Sequence, residues 1–500
     1  MAEKRYLAGL DVGSTGCKII VYDTDGNTLG RVYRDCPITR AMGAHEADAQ
    51  GIADTVMAVI REAAENYPGI AGIGVASFGE SFVLLDENDK PLLPVMLYTD
   101  PRGVEESAQL SSLLGEEEIV AIAGVKPAAM YSLPKLMWVK AHCPDVWQKV
   151  RRICLMEDYL VYLLTGKAQI DYSLAARTMA FDVHNLIWSE KLLQAAGVDP
   201  ALLSTPVPTG ASAGMVKPGL AQRLGLKADT LIVSVSHDQV AAAIGSGVFD
   251  ESCAVDGAGT VERITPVFTR CNDAVMASGG YSIVPFITPG TYVCYAFSFT
   301  GGSLVKWVID QCAGDARAQA LDEGRGVYSV LDEGCADAPT GLLVLPHFAG
   351  AATPYMDSSS KGAIIGLTLE HTVSDIYRAV MEGVCYEMRL NMETLASGGV
   401  HIPALRATGG GARNRMWLQM KADILGVPVT ALATADAGTT GSALLAGIAC
   451  GEFADLPQAA KAMVREKETL LPRPDMQARY ESHYQRYKKL YAAVRPLMEE

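Results

Sequence analysis

The chain has 500 residues, 49% of them hydrophobic and 20% charged, with a formal net charge of −15. This length exceeds one ordinary core and predicts two domains of roughly 200–250 residues each. The acidity excludes a nucleic-acid partner, because phosphate-backbone binding needs a basic footprint, and it suits a small neutral substrate.

The 11 cysteines are scattered singly, without a C-x-x-C and in odd number, so no closed disulfide framework is expected and a reducing cytoplasm is the expected compartment. The opening MAEKRYLAGLDVG has no signal-peptide h-region. Apolar runs are broken by Gly, Asp or Lys within a dozen residues, too short for a membrane span, so no membrane partner is expected.

In chain order, YLAGLDVG, STGCK and IIVYDTDGNTL read as strand, turn and strand, with a hairpin turn at Asp25, Gly26 and Asn27. Helical patterns follow at 50–66 and 104–114, with a strand–turn–strand segment at 70–97 between them. This is a mixed α/β pattern. The layout restarts near residue 253: CAVDGAGTVERIT is strand, turn, strand, and YVCYAFSFTGGSLVKWVIDQ is strand, Gly pair, helix. LRATGGGARNRMWLQMKADILGVPVTAL then gives strand, glycine turn, helix, strand. A boundary at GSGVFDE, residues 245–251, divides the chain into domains 1–247 and 248–500. Tyr480, Tyr484, Tyr487 and Tyr491 fall at helical intervals and predict a packing stripe on a terminal helix.

Four segments carry the candidate chemistry. D-V-G-S-T-G at Asp11–Gly16, followed by Lys18, is a turn whose N–H groups and hydroxyls suit a phosphate. Asp11 at a strand end suits Mg²⁺, which prefers oxygen ligands and keeps several waters. An ordinary Gly-rich hairpin explains the same residues. D-G-A-G-T at Asp256–Thr260 is weaker alone, since glycines at positive φ account for it; it gains from repeating the first loop. T-G-G-G-A-R-N at Thr408–Asn414 lets backbone approach a ligand ahead of a helix N-terminus, or serves strand–helix packing. S-H-D-Q at Ser236–Gln239 follows the strand LIVSV; Asp238 reads as a helix N-cap or as a carboxylate presented at a strand end. The local pattern favours the cap, and His237 reads as structural.

Neither G-x-x-x-x-G-K-[ST] nor G-x-G-x-x-G occurs, and no H-E-x-x-H zinc motif appears. The single G-x-S-x-G, Gly210–Gly214 around Ser212, lacks the buried strand and immediate helix of a nucleophile elbow and reads as a surface loop.

Together these motifs resemble, in order over about residues 6–455, the FGGY carbohydrate kinases, among them xylulokinases, glycerol kinases and fuculokinases. Gly362–Gly383 is similar to that family's C-terminal signature and Met130–His142 to its N-terminal one, with a departure at Ala141. The resemblance implies a two-domain actin-like ATPase fold of ribonuclease-H-like halves, with a cleft that closes on ATP and substrate. It places Ser14, Thr15, Gly16, Lys18, Gly259 and Thr260 by the ATP phosphates, and Gly302, Gly410, Gly411 and Asn414 around the nucleotide. It makes Asp238 the catalytic base, against the cap reading, and Asp11 the Mg²⁺ residue. Glu80, Ser81, Met130, Tyr131, Asp238 and Gln239 are the expected substrate contacts. The implied activity is ATP-dependent phosphorylation of a small sugar: a ketopentose, deoxyketose or related ketose. A polyol acceptor remains open, as does a non-catalytic sugar or nucleotide sensor. In A-S-F-G-E-S, Ala76–Ser81, the Met-His of xylulokinases is absent, only the Glu of the glycerol-kinase Arg-Glu survives, and Ser77, Phe78 and Gly79 lean toward the fuculokinase pattern, as do S-H-D, Asn414 and Trp417. A homodimer is left open.

Overall fold

The computed structural model describes residues 5–36, 38–41, 43–434 and 436–498. Two units are present. The first comprises Met1–Phe249, Ser282–Val293 and Asp436–Val464; the second comprises Asp250–Tyr281, Cys294–Ala435 and Arg465–Glu500. The chain therefore leaves the first unit at Phe249 and re-enters it twice. Each cysteine is a free thiol. Among the described residues no helix is long and apolar enough to cross a membrane.

The first unit is built on six strands: β1 (Tyr6–Val12), β2 (Gly16–Tyr22), β3 (Thr28–Asp35), β4 (Ile70–Ser77), β5 (Ala211–Met215) and β6 (Leu231–His237), in the order β5-β6-β4-β1-β2-β3. β1, β2 and β3 form an antiparallel meander, whereas β4 pairs parallel with both β1 and β6. Gly26, at φ 80°, turns β2 into β3 where the D-G-N signal falls. Every residue of β4 is buried, as expected for a parallel strand covered on both faces. Ile52, Val56 and Ile60 of the helix Ala49–Asn66 join Leu160 and Leu164 in covering one face. The helix Ala437–Ala449 packs closely on the sheet and on the helix Asp238–Gly245. Glycine permits that approach: a methyl at Gly441 would stand 2.0 Å from the Ala241 carbonyl oxygen.

β5 corrects one expectation. The G-x-S-x-G around Ser212 is an edge strand antiparallel to β6, not a loop. Ser212 accepts a hydrogen bond from the Gly214 N–H, and the strand runs on to Met215, with Val216 and Lys217 between it and the next helix at Pro218–Leu224. A nucleophile elbow has no place there.

The second unit repeats the plan. Its strands are β7 (Ala254–Gly257), β8 (Glu262–Phe268), β9 (Ala296–Ser298), β10 (Leu405–Thr408), β11 (Val429–Leu432) and β12 (Glu466–Leu470). They run β9-β8-β7-β10-β11-β12, with β7, β10 and β11 parallel and the other pairings antiparallel. In spatial order and direction these six strands correspond to the first unit's six, although the antiparallel edge strand precedes its neighbour in the chain in the first unit and follows it in the second. These are the ribonuclease-H-like halves expected of an actin-like ATPase.

The 25-residue helix Val373–Ser397, opened by a Thr372–Asp375 capping box, anchors the second core. Tyr480, Tyr484 and Tyr487 of the helix Pro474–Tyr487 are buried around Tyr386, so the tyrosine stripe is a packing face. Beneath β7 and β8, Lys421 reaches Asp256 at 2.6 Å and also contacts Glu262; all three side chains are at most 2% exposed. Its carboxylate neighbours hold the Lys421 ammonium charged against the cost of burial.

Candidate active site

In the first unit, the register of β1, β4 and β6 sets Asp11 opposite Ala76, and Ala76 opposite Ser236. Three parallel strands thus end level. Their carboxyl ends are where open α/β sheets present groups to ligands. Three segments leave from this line: the turn Gly13–Thr15, the loop Phe78–Ser81, and the helix beginning at Asp238.

His237, not Asp238, occupies the cap position of that helix, and its side chain makes no cap bond. Asp238 is the first helical residue, so the N-cap reading is corrected. Strand β6 runs through His237 and delays helix entry by one residue. The Asp238 carboxylate is 31% exposed; it accepts a 2.7 Å hydrogen bond from Gln239 Nε2 and lies 3.3 Å from His237 Nε2.

Asp11 lies 3.5 Å from Lys18, which is also 2.7 Å from Asp436. Burial pushes the Asp11 carboxyl up to about 6; Lys18 opposes that shift, and the charges of Asp238 and Asp436 add to it. The first turn of the helix Ala437–Ala449 reaches the same place, since a methyl at Gly438 would stand 3.6 Å from Asp11 Oδ2 and 4.0 Å from the Asp238 carbonyl oxygen. In the turn itself, the Gly13 N–H donates to Gly16 O at 2.9 Å; Thr15 is exposed, Ser14 half-buried and Gly16 buried within β2. Asp436 was missed by sequence reasoning, although D-A-G-T-T-G at Asp436–Gly441 repeats the Asp–Gly–Thr signal of the other two loops.

Glu80 is buried and adopts φ 61°, a left-handed conformation that costs a non-glycine residue about 1–3 kcal/mol and concentrates at functional sites. Its carboxylate accepts from Arg177 Nε at 2.6 Å, and its carbonyl from Ser132 Oγ at 2.7 Å. Tyr131 lies beneath the Arg177 guanidinium, 5.2 Å from ring centre to Cζ. The Ser81 hydroxyl is buried with no hydrogen-bond partner among the described residues, and Met130 is half-buried. Lys135 is buried, donates to the Leu97 and Met130 carbonyls, and is lowered to about 8 by burial. Neither Arg177 nor Lys135 gave a sequence signal apart from Lys135's place in the N-terminal signature.

The second unit contains a cavity of about 640 Å³ lined by Gly259, Thr260, Gly302, Gly410, Gly411 and Asn414 together with Asp332, Tyr377 and Trp417. All six nucleotide residues expected in this half meet on its wall. The loop and the helix Gly302–Cys312 are tied together: Gly302 N donates to Gly259 O at 2.9 Å and Ser303 Oγ to Thr260 O at 2.8 Å. Asn414 braces the wall. Its carbonyl oxygen caps Trp417 N at 2.9 Å, while its amide donates to Asp332 at 3.2 Å and to Tyr377 at 3.1 Å. The three glycines divide between both expected uses. Gly409 has φ 92° and a methyl there would meet Ala258 O at 2.6 Å; one at Gly411 would meet Ala258 Cβ at 2.8 Å; Gly410 has nothing within 4 Å. Gly409→Ala should therefore lower stability by about 1 kcal/mol or more, whereas Gly410→Ala leaves the thermal midpoint unchanged. Paired thermal melts check this; equal midpoints would contradict the assignment.

Comparison with known proteins follows this geometry. Residues 6–245 match the N-terminal domain model, and residues 262–450 the C-terminal domain model, of the FGGY family of carbohydrate kinases. The chain is 28% identical over 497 residues to a xylulose kinase of Lactococcus lactis subsp. lactis, covering 97% of this chain and 96% of that protein. It is 25% identical to an autoinducer-2 kinase of Escherichia coli, covering 98% and 94%. Among solved structures, a xylulose kinase from Rhodospirillum rubrum superposes with a TM-score of 0.88 at 25% identity, covering 99% of this chain and all (100%) of that one. A Plasmodium falciparum glycerol kinase with ADP shares the fold at a TM-score of 0.85 and 22% identity, covering 98% of each chain.

Proposed function

Because the chain belongs to the FGGY family of carbohydrate kinases, whose members use ATP as phosphoryl donor, we propose that it transfers the γ-phosphoryl group of ATP to a hydroxyl of a ketopentose-type sugar. The observation that carries this reading is the level ending of three parallel strands, one holding Asp11, one leading into the loop with Glu80 and one leading into Asp238. The xylulose kinases among the relatives favour a ketopentose acceptor.

Asp238 takes the proton of the attacking hydroxyl. Gln239 and His237 hold its carboxylate, and its partial exposure leaves it open to substrate. Glu80, Ser81, Met130, Tyr131 and Gln239 contact the sugar. The unpartnered Ser81 hydroxyl is a ready hydrogen-bonding group there. Ser14, Thr15, Gly16 and Lys18 offer N–H, hydroxyl and ammonium donors to the phosphates. Gly259 and Thr260 do so from the nucleotide cavity, where Gly302, Gly410, Gly411 and Asn414 form the wall.

The site fits Mg²⁺. Among the described residues no group of three His, Cys, Asp or Glu encloses a metal, but Mg²⁺ in phosphoryl-transfer sites is held by one or two carboxylates with waters and phosphate oxygens. The Asp11 carboxyl, raised by burial and flanked by two more acids, gains from a cation. Asp11 would hold the ion, directly or through water, and a bound ion would offset the charge of the phosphate oxygens.

The test is ADP release across ketopentoses, deoxyketoses, polyols, sugar acids and autoinducer-2. A ketopentose should give the highest kcat/KM. A polyol or autoinducer-2 preferred over every ketose would overturn the acceptor assignment. A silent panel with ATP binding intact would instead identify a sensor.

A further inference from the structure

We propose that Arg177 is a positioning residue for the acceptor, holding Glu80 in place while the short helix it terminates holds the peptide ahead of Asp238. This rests on the reading of Glu80 and Asp238 given above.

Three observations support it. The first is the helix Tyr172–Ala176, whose two ends touch different parts of the site. At its start, Asp171 accepts from Ser173 N and Leu174 N, each at 2.9 Å, and from Thr209 Oγ1 at 2.8 Å. The Ser173 hydroxyl donates to Asp171 at 3.0 Å and accepts from His237 N at 3.0 Å. The backbone one residue before Asp238 is thereby fixed to this helix. At its end sits Arg177, as C-cap.

The second is the bonding of Arg177. Nε donates to Glu80 at 2.6 Å, a second guanidinium nitrogen contacts the same carboxylate oxygen, and Nη1 donates to Ser282 at 2.8 Å. Arg177 and Glu80 are each only 6% exposed at the side chain. A charge so buried is tolerable only when paired, so removing the guanidinium forces the Glu80 carboxylate to move or to protonate. Lysine lacks the planar fork and cannot span Glu80 and Ser282 together.

The third is Gly79. A methyl there would meet Arg177 Cβ at 3.1 Å and His237 Cδ2 at 3.2 Å. The glycine is the narrow point at which Arg177 and the residue beside Asp238 press on one loop. With Glu80 at positive φ immediately after it, the loop needs support from outside, and Arg177 supplies it.

Steady-state kinetics of the full chain test this. Arg177→Met should raise KM for the best acceptor by about 10- to 100-fold, the loss expected for a charged hydrogen bond. KM for ATP and acceptor-independent ATP hydrolysis should stay within about twofold, because the nucleotide cavity lies elsewhere in the chain. Arg177→Lys should give an intermediate acceptor KM, and it serves alone if the methionine variant does not fold. Glu80→Gln should also raise acceptor KM, and the double variant should be no worse than the weaker single one. Arg177 variants with unchanged acceptor KM, beside a Glu80→Gln that raises it, overturn this inference alone. Glu80→Gln with unchanged KM overturns the acceptor reading and this inference with it. Parallel changes in both KM values and the thermal midpoint identify a purely structural residue and also overturn it.

Discussion

Asp238→Asn should lower kcat by about 10²- to 10⁴-fold, the contribution of a positioned general base, while nucleotide affinity is retained. The substitution keeps the side chain's shape. Its remaining carbonyl oxygen still accepts from Gln239, which now lies 2.7 Å from the carboxylate. What is lost is the second oxygen's capacity to take a proton. The substitution alters none of the residues 259–417 that line the cavity of the second unit, so nucleotide affinity should persist. Coupled ADP release measures the first effect and calorimetric ATP titration the second. A variant retaining more than about a tenth of wild-type kcat would remove Asp238 from the role of base.

Lys421→Met should destabilise the protein by about 3–5 kcal/mol, the cost of breaking a buried ion cluster from one side. Lys421 is the cation between Asp256 and Glu262, and none of the three can turn to solvent. Losing the ammonium strips Asp256 of the cation it bonds at 2.6 Å and leaves a buried charge unpaired. Adding Asp256→Asn to Lys421→Met should recover part of the loss, because it removes that charge rather than restoring the pair. Thermal midpoints of the three proteins decide the matter. A lone Lys421→Met that melts with the wild type would show that the cluster does not stabilise the second unit.

Local features were legible in the sequence because the rules behind them are local. The D-G-N turn and the helices near 50–66 and 104–114 appear where patterning places them; the tyrosine stripe does so for Tyr480, Tyr484 and Tyr487, whereas Tyr491 falls on the next helix, Leu490–Val494. The recurrence of a strand–turn–strand opening in both halves was visible too, and its extension to six corresponding strands emerged only in three dimensions. The contacts that make the site are long-range. Lys18 and Asp436 are 418 positions apart, and Arg177 and Glu80 are 97 apart. No window of sequence contains either pair. Asp238 shows how a local rule fails: S-H-D-Q has the composition of a cap, but β6 continues one residue further than that pattern indicates. The family resemblance, not the spacing, marked that aspartate as chemical. Arg177 escaped both routes because an arginine in A-A-R-T carries no signal until its partner is known.

The matched strand plans of the two units have a consequence for their aspartates. β1 and β7 hold the same place in their sheets, between a meander partner and a parallel strand, and each has an aspartate as its next-to-last residue, followed closely by a Ser-Thr or Gly-Thr turn. Asp11 is a quarter exposed at the side chain, whereas Asp256 is sealed against Lys421 at 1%. One residue type at one topological position thus has two fates, decided by a lysine on a helix more than a hundred residues away. The halves are not interchangeable copies. A chimera carrying two second units would possess two nucleotide walls and no free carboxylate at either strand end, and its division of labour would be lost although every strand remained in order.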